Sequence, residues 1–400
     1  MSKIEWTECT WNPLVGCTPV SPGCLNCYAA TMARRLEAMG RPEYAPREEP
    51  LTAAELRGAH AAVGGGKLYE HERVKEVRIA EVKGGRAVFT GEVRLVPERL
   101  AEPLRWKKPR MCFVNSMSDL FHESVPFEYI DKVFAVMKVT PHVTYQVLTK
   151  RPARMAEYLT HWPNGMDRGH HIALQLNARG DALRTGEAGD GTGPRVQLPL
   201  PNVWLGASVE DQPRADERIP HLLKCPAAVL FLSVEPLLGK VDLTPFLRAL
   251  AGVKLCRHCG YRTNRDERWC PNSDIANVPL VPDSGIDWVI VGGESGGQAR
   301  GCDMVWVRSI VKQCKAAGVP CFVKQLGAKP YAKCKDCTCV DTEVRYNRLP
   351  FSLGCDSALR LNDRKGGDMA EWPADLWVRE WPLLRGGAGA AAPASAKARQ

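Results

Sequence analysis

Residues 111–119 read MCFVNSMSD, a short apolar run that ends abruptly in polar residues. The same pattern recurs along the chain, and most of the runs precede a stretch of helical periodicity. A short apolar run with polar boundaries is typical of a buried β-strand. The seven runs lie at residues 93–96, 111–114, 145–148, 203–205, 229–232, 288–291 and 320–323.

Helical periodicity is clearest at residues 127–138 and 304–317, where apolar residues recur at spacings of three and four. Strands that alternate with helices predict an α/β fold with a parallel sheet. The sheet is either a partial or complete (β/α) barrel or an open, doubly wound sheet. The sequence leaves both arrangements open.

A single α/β domain is predicted over residues 1–385. The rhythm of strands and helices is interrupted at residues 41–90, 163–201 and 254–284, which we interpret as insertions. The last of these is rich in cysteine. Residues 386–400, GGAGAAAPASAKARQ, are of low complexity and are predicted to be a disordered tail.

The composition narrows the class of protein. The chain has 400 residues, of which 44% are hydrophobic, and a formal net charge of +9. This modest basic excess permits a nucleic-acid or phosphate partner without requiring one. Because no apolar stretch approaches about 20 residues and the first residues are polar, we predict a cytoplasmic protein without a membrane partner.

Polar residues follow the predicted strands closely. Those that we select as candidate ligand-binding residues are Asn115, Ser116, Asp119, Lys150, Glu210 and Glu235. Ligand sites of parallel α/β folds lie at the carboxyl ends of the strands. Serine, asparagine and aspartate are also common helix caps, but caps do not require lysine or repeated glutamate. The pattern therefore predicts a polar ligand site at this edge of the sheet.

Three cysteines near the N-terminus, Cys17, Cys24 and Cys27, precede a predicted amphipathic helix that begins near residue 26 or 28. Three thiolates can hold a 4Fe-4S cluster and leave one iron open to an external ligand. A structural zinc ion requires four ligands, and Cys9 is the nearest candidate for the fourth. The iron-sulfur interpretation is the favoured one.

At this point the sequence resembles the radical S-adenosylmethionine enzymes, and within them a three-cysteine-motif family of bacteriophages and bacteria that is distantly similar to spore photoproduct lyase. The resemblance lies in the segments TWNPLVGC, SPGCLNCYA, FVNSMSDLFHESVP, QVLTKRP, WLGASVEDQ, FLSVEPLLG, DWVIVGGESG, AAGVPCFVKQLG and DRKGGDMAEWPADLWVREWP. Six residues separate Cys17 from Cys24, which is wider than the usual spacing. The GGE loop at residues 292–294 comes later in the chain than the superfamily's GGE loop, so its role is not carried onto Glu294.

The resemblance implies a partial or complete barrel that binds a 4Fe-4S cluster and S-adenosylmethionine. An electron donor would reduce the cluster, and the 5'-deoxyadenosyl radical formed would abstract hydrogen from a substrate. Asn115, Ser116, Asp119, Lys150, Glu210 and Glu235 would then surround S-adenosylmethionine. The alternatives are a non-enzymatic, metal-bearing nucleic-acid-binding protein and, ranked last, a hydrolase that uses metal-bound water.

Two further cysteine clusters remain. Cys256, Cys259 and Cys270 resemble three ligands of a zinc ribbon, with a fourth sulfur drawn from Cys334, Cys337 or Cys339. A degenerate ribbon without metal is the alternative, and the 334–339 segment could instead hold a second cluster or act as a redox pair.

The substrate predicted is a nucleic acid or nucleotide. Arginine-rich segments contain Trp106, Tyr261 and Trp269, and aromatic rings among cations suit base stacking together with phosphate contact.

Overall fold

Seven parallel strands form the main sheet of the protein. In the computed structural model they are β1 (Cys9–Trp11), β2 (Arg110–Val114), β3 (Val143–Thr149), β4 (Val203–Ser208), β5 (Val229–Val234), β6 (Trp288–Gly292) and β7 (Cys321–Gln325). The structure describes residues 4–62, 74–160, 168–178, 196, 198–247, 254–256, 262–263, 280–282, 285–332, 357–359 and 361–382.

The order of the strands in the sheet is their order in the chain, from β1 at one edge to β7 at the other. A doubly wound sheet reverses its strand order at a switch point, and none occurs here. Because right-handed crossovers that progress in one direction place their helices on one face, the sheet curls into a half-barrel. The barrel alternative from the sequence is therefore the correct one in its partial form, and the doubly wound alternative is wrong.

The described α-helices all lie in the segments between these strands. They are α1 (Tyr28–Ala38), α2 (Ala53–Ala62), α3 (Pro97–Leu100), α4 (Phe127–Val139), α5 (Pro152–Thr160), α6 (Arg168–Ala178), α7 (Gln212–Leu222), α8 (Thr244–Leu247) and α9 (Met304–Ala317). The predicted helices at 127–138 and 304–317 are confirmed as α4 and α9. No described helix is long and apolar enough to cross a membrane.

Six of the seven apolar runs correspond to β2–β7. The run at 93–96 is not a strand of the main sheet, because Arg94–Leu95 pairs antiparallel with Leu14–Val15. The first strand of the sheet is instead β1, which pairs with β2 through the register of Cys9 with Cys112. β1 has three residues, too few for a period-two pattern to be visible in the sequence.

The strands alternate between two cores. Cys112 and Val114 of β2 face the helices, whereas Met111 and Phe113 face the concave side of the half-barrel. The concave core is largely aromatic and contains Trp6, whose ring centroid lies 4.8 Å from that of Phe113. Two cores arise because successive strand residues point to opposite faces of the sheet. Through Trp6, the amino-terminal segment fills part of the concave core.

The segment at residues 41–90, which the sequence predicts to be an insertion, contributes residues that pack against α1. Ala29, Ala30 and Ala33 of α1 pack against a hairpin formed by Ala80–Lys83 and Arg86–Phe89. The segment at residues 254–284 contributes three short antiparallel strands, which form a separate sheet: Lys254–Cys256, Arg262–Thr263 and Leu280–Pro282. Several predictions concern positions outside the described residues. These positions are the side chains of residues 254–284, the cysteines Cys334, Cys337 and Cys339, and the 386–400 segment.

Candidate functional site

A cavity of about 250 Å³ opens at the carboxyl ends of the strands, above the aromatic core. The predicted site residues that line it are Cys17, Cys24, Cys27, Asn115, Ser116, Asp119, Lys150 and Glu235. Glu210 does not line it. Additional lining residues include Asn26, Arg151, Ser208, Ser233, Glu294 and Lys324.

The alternation of the strands explains why these side chains meet. Phe113 and Leu148 border the concave side, so residues two positions further, Asn115 and Lys150, extend toward the same side. Glu235, just past β5, lines the cavity from the far side of the half-barrel. Its carboxylate accepts hydrogen bonds from Nζ of Lys324 at 2.7 and 2.9 Å and from Nε2 of Gln325 at 3.2 Å.

Residues 17–27, which we call the cysteine loop, lie along the mouth of the cavity. The loop contains a short 3₁₀ turn, Pro22–Cys24, and ends at Cys27, the N-cap residue of α1. Burial raises the pKa of the Cys27 thiol, although the first backbone N–H groups of α1 and the charge of Lys150 act in the opposite direction. Metal binding would displace the proton of such a thiol, because metals coordinate the thiolate.

Arg151 holds the start of the cysteine loop. Its Nη1 lies 3.7 Å from Sγ of Cys17 and 3.2 Å from Oδ2 of Asp119, and its Nη2 donates to the carbonyl of Thr18 at 3.1 Å. Burial and the charge of Asp119 raise the pKa of the Cys17 thiol to about 12 despite this guanidinium. Asp119 also accepts from Oγ1 of Thr149 at 2.7 Å and from the backbone N–H of Lys150 at 3.0 Å. It therefore organises the ends of β2 and β3.

His122 supports the same part of the loop. The N–H of Ser124 donates to Nδ1 of His122 at 3.1 Å, so a neutral ring carries its proton on Nε2. That nitrogen lies 2.8 Å from Oγ1 of Thr18 and donates to it. Burial and the neighbouring Arg151 lower the pKa of His122, which favours the neutral ring.

Glu210 holds the middle of the loop rather than facing the cavity. It is fully buried, accepts from Nη1 of Arg218 at 3.0 Å, and accepts from the backbone N–H of Gly23 at 3.2 Å. Both carboxylate oxygens are therefore occupied by the protein. The sequence placed Glu210 at the correct strand end, but the structure gives its carboxylate a partner that sequence reasoning did not foresee.

Glu294 holds the end of the loop. It accepts from Nδ2 of Asn26 at 3.0 Å and from Nε and Nη2 of Arg300 at 2.9 and 2.6 Å. Arg300 also donates to the carbonyl of Pro22 at 3.0 Å. Burial acts to raise the pKa of Glu294, but the hydrogen bonds from Arg300 and Asn26 outweigh it and hold the pKa below its usual range.

No group of three or more His, Cys, Asp or Glu side chains among the described residues is placed to hold a metal ion. A single tetrahedral ion with bonds of about 2.3 Å requires sulfurs that nearly touch. A cubane cluster binds each cysteine through a different iron and accommodates a wider spacing. Cys9, the candidate fourth zinc ligand, lies on β1 with its Sγ 3.6 Å from the carbonyl of Met111 and does not line the cavity.

Sequence reasoning missed Asn26 and Arg300 as site residues and did not select Arg151. Asn26 and Glu294 are separated by 268 positions. No local pattern reports such a contact. The signal for Arg151 was its position directly after Lys150 at the end of β3.

The fold and the site define a parallel α/β half-barrel whose carboxyl-end cavity is lined on one side by a loop with three free cysteines. Residues 1–348 match the model of the DUF5131 family, described as a protein of unknown function, and the chain belongs to this family. No curated protein and no solved structure matches the chain.

Proposed function

We propose that the protein is an iron-sulfur enzyme of the radical S-adenosylmethionine type that acts on a nucleic acid or nucleotide. The observation that supports this proposal is the shared position of Cys17, Cys24 and Cys27. All three are free, all belong to one short loop, and all line one cavity at the carboxyl ends of the strands. The remaining described cysteines do not line that cavity.

The donor set suits a 4Fe-4S cluster better than a single ion. Three thiolates leave one iron open to an external ligand, and the described residues of the cavity wall include no fourth cysteine and no histidine. When bound together, the cluster and S-adenosylmethionine supply a 5'-deoxyadenosyl radical that abstracts a hydrogen atom from substrate. An electron donor is then a required partner.

The residues of the chain divide into two groups under this proposal. Arg151, Glu210 and Glu294 position the cysteine loop through the hydrogen bonds described above. Asn115, Ser116, Lys150 and the ion pair of Glu235 with Lys324 are left as candidates to bind S-adenosylmethionine or substrate. Asp119 lines the cavity, but its carboxylate accepts hydrogen bonds from Thr149, Lys150 and Arg151. We therefore assign it to positioning the ends of β2 and β3.

A non-enzymatic, metal-bearing nucleic-acid-binding protein is the second candidate. In such a protein the cysteines would only hold loops in place. The polar cavity beside the cysteine loop favours the enzyme, because a loop staple does not require a ligand-sized space lined with charged side chains.

The test is anaerobic purification of the full-length protein, with measurement of iron, zinc and the visible spectrum. We expect a brown protein with absorption near roughly 400 nm. The Cys17→Ala/Cys24→Ala/Cys27→Ala variant should lose this absorption, whereas Cys9→Ala should keep it. A colourless protein that holds stoichiometric zinc at the loop cysteines contradicts the proposal.

Activity is measured in the same preparation. Reduced protein mixed with S-adenosylmethionine should release 5'-deoxyadenosine, and DNA, RNA or free nucleotides should stimulate the release. A protein with an intact cluster that releases no 5'-deoxyadenosine under any of these conditions would be assigned to the non-enzymatic alternative.

A further inference from the structure

Three residues that line the cavity carry buried polar atoms without hydrogen-bond partners in the described part of the chain. The atoms are Nε1 of Trp6, Oδ1 of Asn26, and both Nδ2 and Oδ1 of Asn115. A buried polar group without a partner destabilises the folded protein, because it has lost its hydrogen bonds to water and gained none in return. Several such groups around one cavity indicate that a ligand supplies the missing hydrogen bonds.

Asn115 is the central residue of this set. It follows β2 directly, is 2% exposed, and adopts a left-handed backbone conformation with φ of 59°. Residues other than glycine rarely adopt this conformation, and asparagine tolerates it better than most. Strained backbone at the end of a strand is found preferentially at functional sites. The conformation and the unpaired amide are two separate observations on one residue.

Asn26 adds an acceptor. Its Nδ2 donates to Oε2 of Glu294 at 3.0 Å and to the carbonyl of Gln298 at 2.9 Å. Because those two partners are acceptors, the orientation of the amide is fixed, and Oδ1 is the unpaired atom. Trp6 adds a donor, since an indole N–H can only donate.

The balance of these groups restricts the ligand. The unpaired atoms comprise two donor groups and two acceptors, and all are uncharged. A phosphate or carboxylate offers only acceptors and would leave both acceptors unpaired. The rings of Trp6 and Phe113 line the same cavity and offer flat apolar surface. A flat, uncharged ring that carries adjacent donors and acceptors satisfies the whole set.

We propose that the cavity is a nucleobase-binding site in which the amide of Asn115 pairs with the edge of the base. Asparagine forms a bidentate pair with adenine in this way. The volume of about 250 Å³ admits a base and part of its sugar but not a duplex, so a base within a nucleic acid would have to leave its stack.

The base has two sources, the adenosyl group of S-adenosylmethionine and a nucleotide substrate. The inference deepens the proposed function and rests on it for the chemistry that follows binding. The binding itself rests only on the residues above. Iron content tests the proposed iron-sulfur function, and nucleoside binding tests the nucleobase site. Each can therefore fail while the other holds.

The experiment is calorimetric titration of the full-length protein, with and without its cluster, using adenosine, guanosine, cytidine, uridine and S-adenosylmethionine. Asn115→Gly removes the amide and keeps the left-handed backbone accessible. Asn115→Asp keeps the shape but removes the donor. Trp6→Phe removes the indole N–H together with part of the ring, and keeps an aromatic side chain at this position. His171→Leu is the control, because His171 also has an unpaired buried nitrogen but lies on α6, away from the cavity.

We expect at least one nucleoside or S-adenosylmethionine to bind, and both Asn115 variants to weaken that binding by about tenfold or more. Trp6→Phe should weaken it less, and His171→Leu should not change it. If S-adenosylmethionine competes with the nucleoside, the adenosyl group is the source; if both bind together, the substrate base is.

Failure of every nucleoside and of S-adenosylmethionine to bind would overturn the inference. Equal affinity in wild type and Asn115→Gly would overturn it as well, because the amide would then be satisfied by water. In either case the circular dichroism spectrum and thermal midpoint of each variant show whether the fold is intact.

Discussion

The backbone N–H of Gly23 donates a hydrogen bond of 3.2 Å to Oε1 of Glu210, and this bond joins the middle of the cysteine loop to the end of β4. The carboxylate cannot move away easily, because its other oxygen is bound by Arg218 at 3.0 Å and the residue is fully buried. Removing one partner of a buried ion pair costs about 3–5 kcal/mol. The position of the loop is thus linked to a buried ion pair of the half-barrel.

Gly23→Ala should displace the cysteine loop. A Cβ at Gly23 would lie 3.0 Å from Cδ and 3.1 Å from Oε1 of Glu210. Since the buried carboxylate cannot yield without straining its bond to Arg218, we expect a loss of about 1–3 kcal/mol in the free energy of unfolding. Iron bound per chain should fall as well. Denaturant unfolding and iron analysis measure both effects.

Gly297→Ala is the matched control. A Cβ at Gly297 meets no atom within 4 Å, and its backbone is not left-handed. Iron content and stability should match those of the wild type. If Gly23→Ala also retains full iron and stability, Glu210 does not position the loop.

The sequence alone predicts the strands of the main sheet well, but it does not predict the hydrogen bonds that hold the cysteine loop in place. Six strands are visible because each is a continuous apolar run, and the alternation of residues within a strand brings Asn115 and Lys150 to one cavity. The pairing of Arg300 with Pro22 spans 278 positions and follows only from the three-dimensional curvature of the half-barrel. Glu210 shows the limit most clearly, because a strand-end carboxylate looks the same in sequence whether it faces a ligand or a buried arginine.

The bonds between Glu294 and the cysteine loop should make part of the stability depend on pH. The pKa of Glu294 is lowered from its ordinary value of 4.5. A carboxyl group with a depressed pKa stabilises the folded state fully above its unfolded pKa, and the contribution is lost as pH falls through the lower folded pKa. We therefore expect Glu294→Gln to lower the free energy of unfolding by about 1.5–3 kcal/mol at pH 7.

The difference in the free energy of unfolding between wild type and Glu294→Gln should shrink as the pH is lowered below about 4.5. Urea unfolding at pH 7, 5 and 4 measures it. Glu157→Gln is the control, because Glu157 is an exposed carboxylate on α5 that does not line the cavity, and its replacement should change stability by less than about 0.5 kcal/mol at each pH. A difference that stays constant across this range would show that the charge of Glu294 does not hold the loop.

Arg151→Lys should weaken the start of the loop while keeping the positive charge. A lysine cannot reach Cys17, Thr18 and Asp119 together, because it lacks the planar fork of the guanidinium. The bonds to Glu123 matter less, since the side chain of Glu123 is 64% exposed. We expect about 1.5–3 kcal/mol of lost stability and less iron per chain.

Arg214→Lys is the comparison for Arg151→Lys. Arg214 pairs with Asp211 at 3.6 Å on the surface of α7, and its replacement should change stability by less than about 0.5 kcal/mol. Equal iron content and stability in the two variants would remove Arg151 from the positioning residues.

Lys150 should select ligands that carry a phosphate beside the base. Its side chain lines the cavity, and within the described residues its ammonium group takes part in no ion pair, whereas Lys324 is paired with Glu235. A hydrogen bond to a charged group contributes about 1.5–3 kcal/mol, so adenosine monophosphate should bind about tenfold more tightly than adenosine. Lys150→Met should abolish that difference and leave the affinity for adenosine unchanged.

Lys312→Met is the control, because Lys312 lies on the exposed side of α9. This variant should keep the tighter binding of adenosine monophosphate. Titration of each variant with both ligands measures the effect, and a wild-type protein that binds them equally would show that Lys150 does not contact the phosphate.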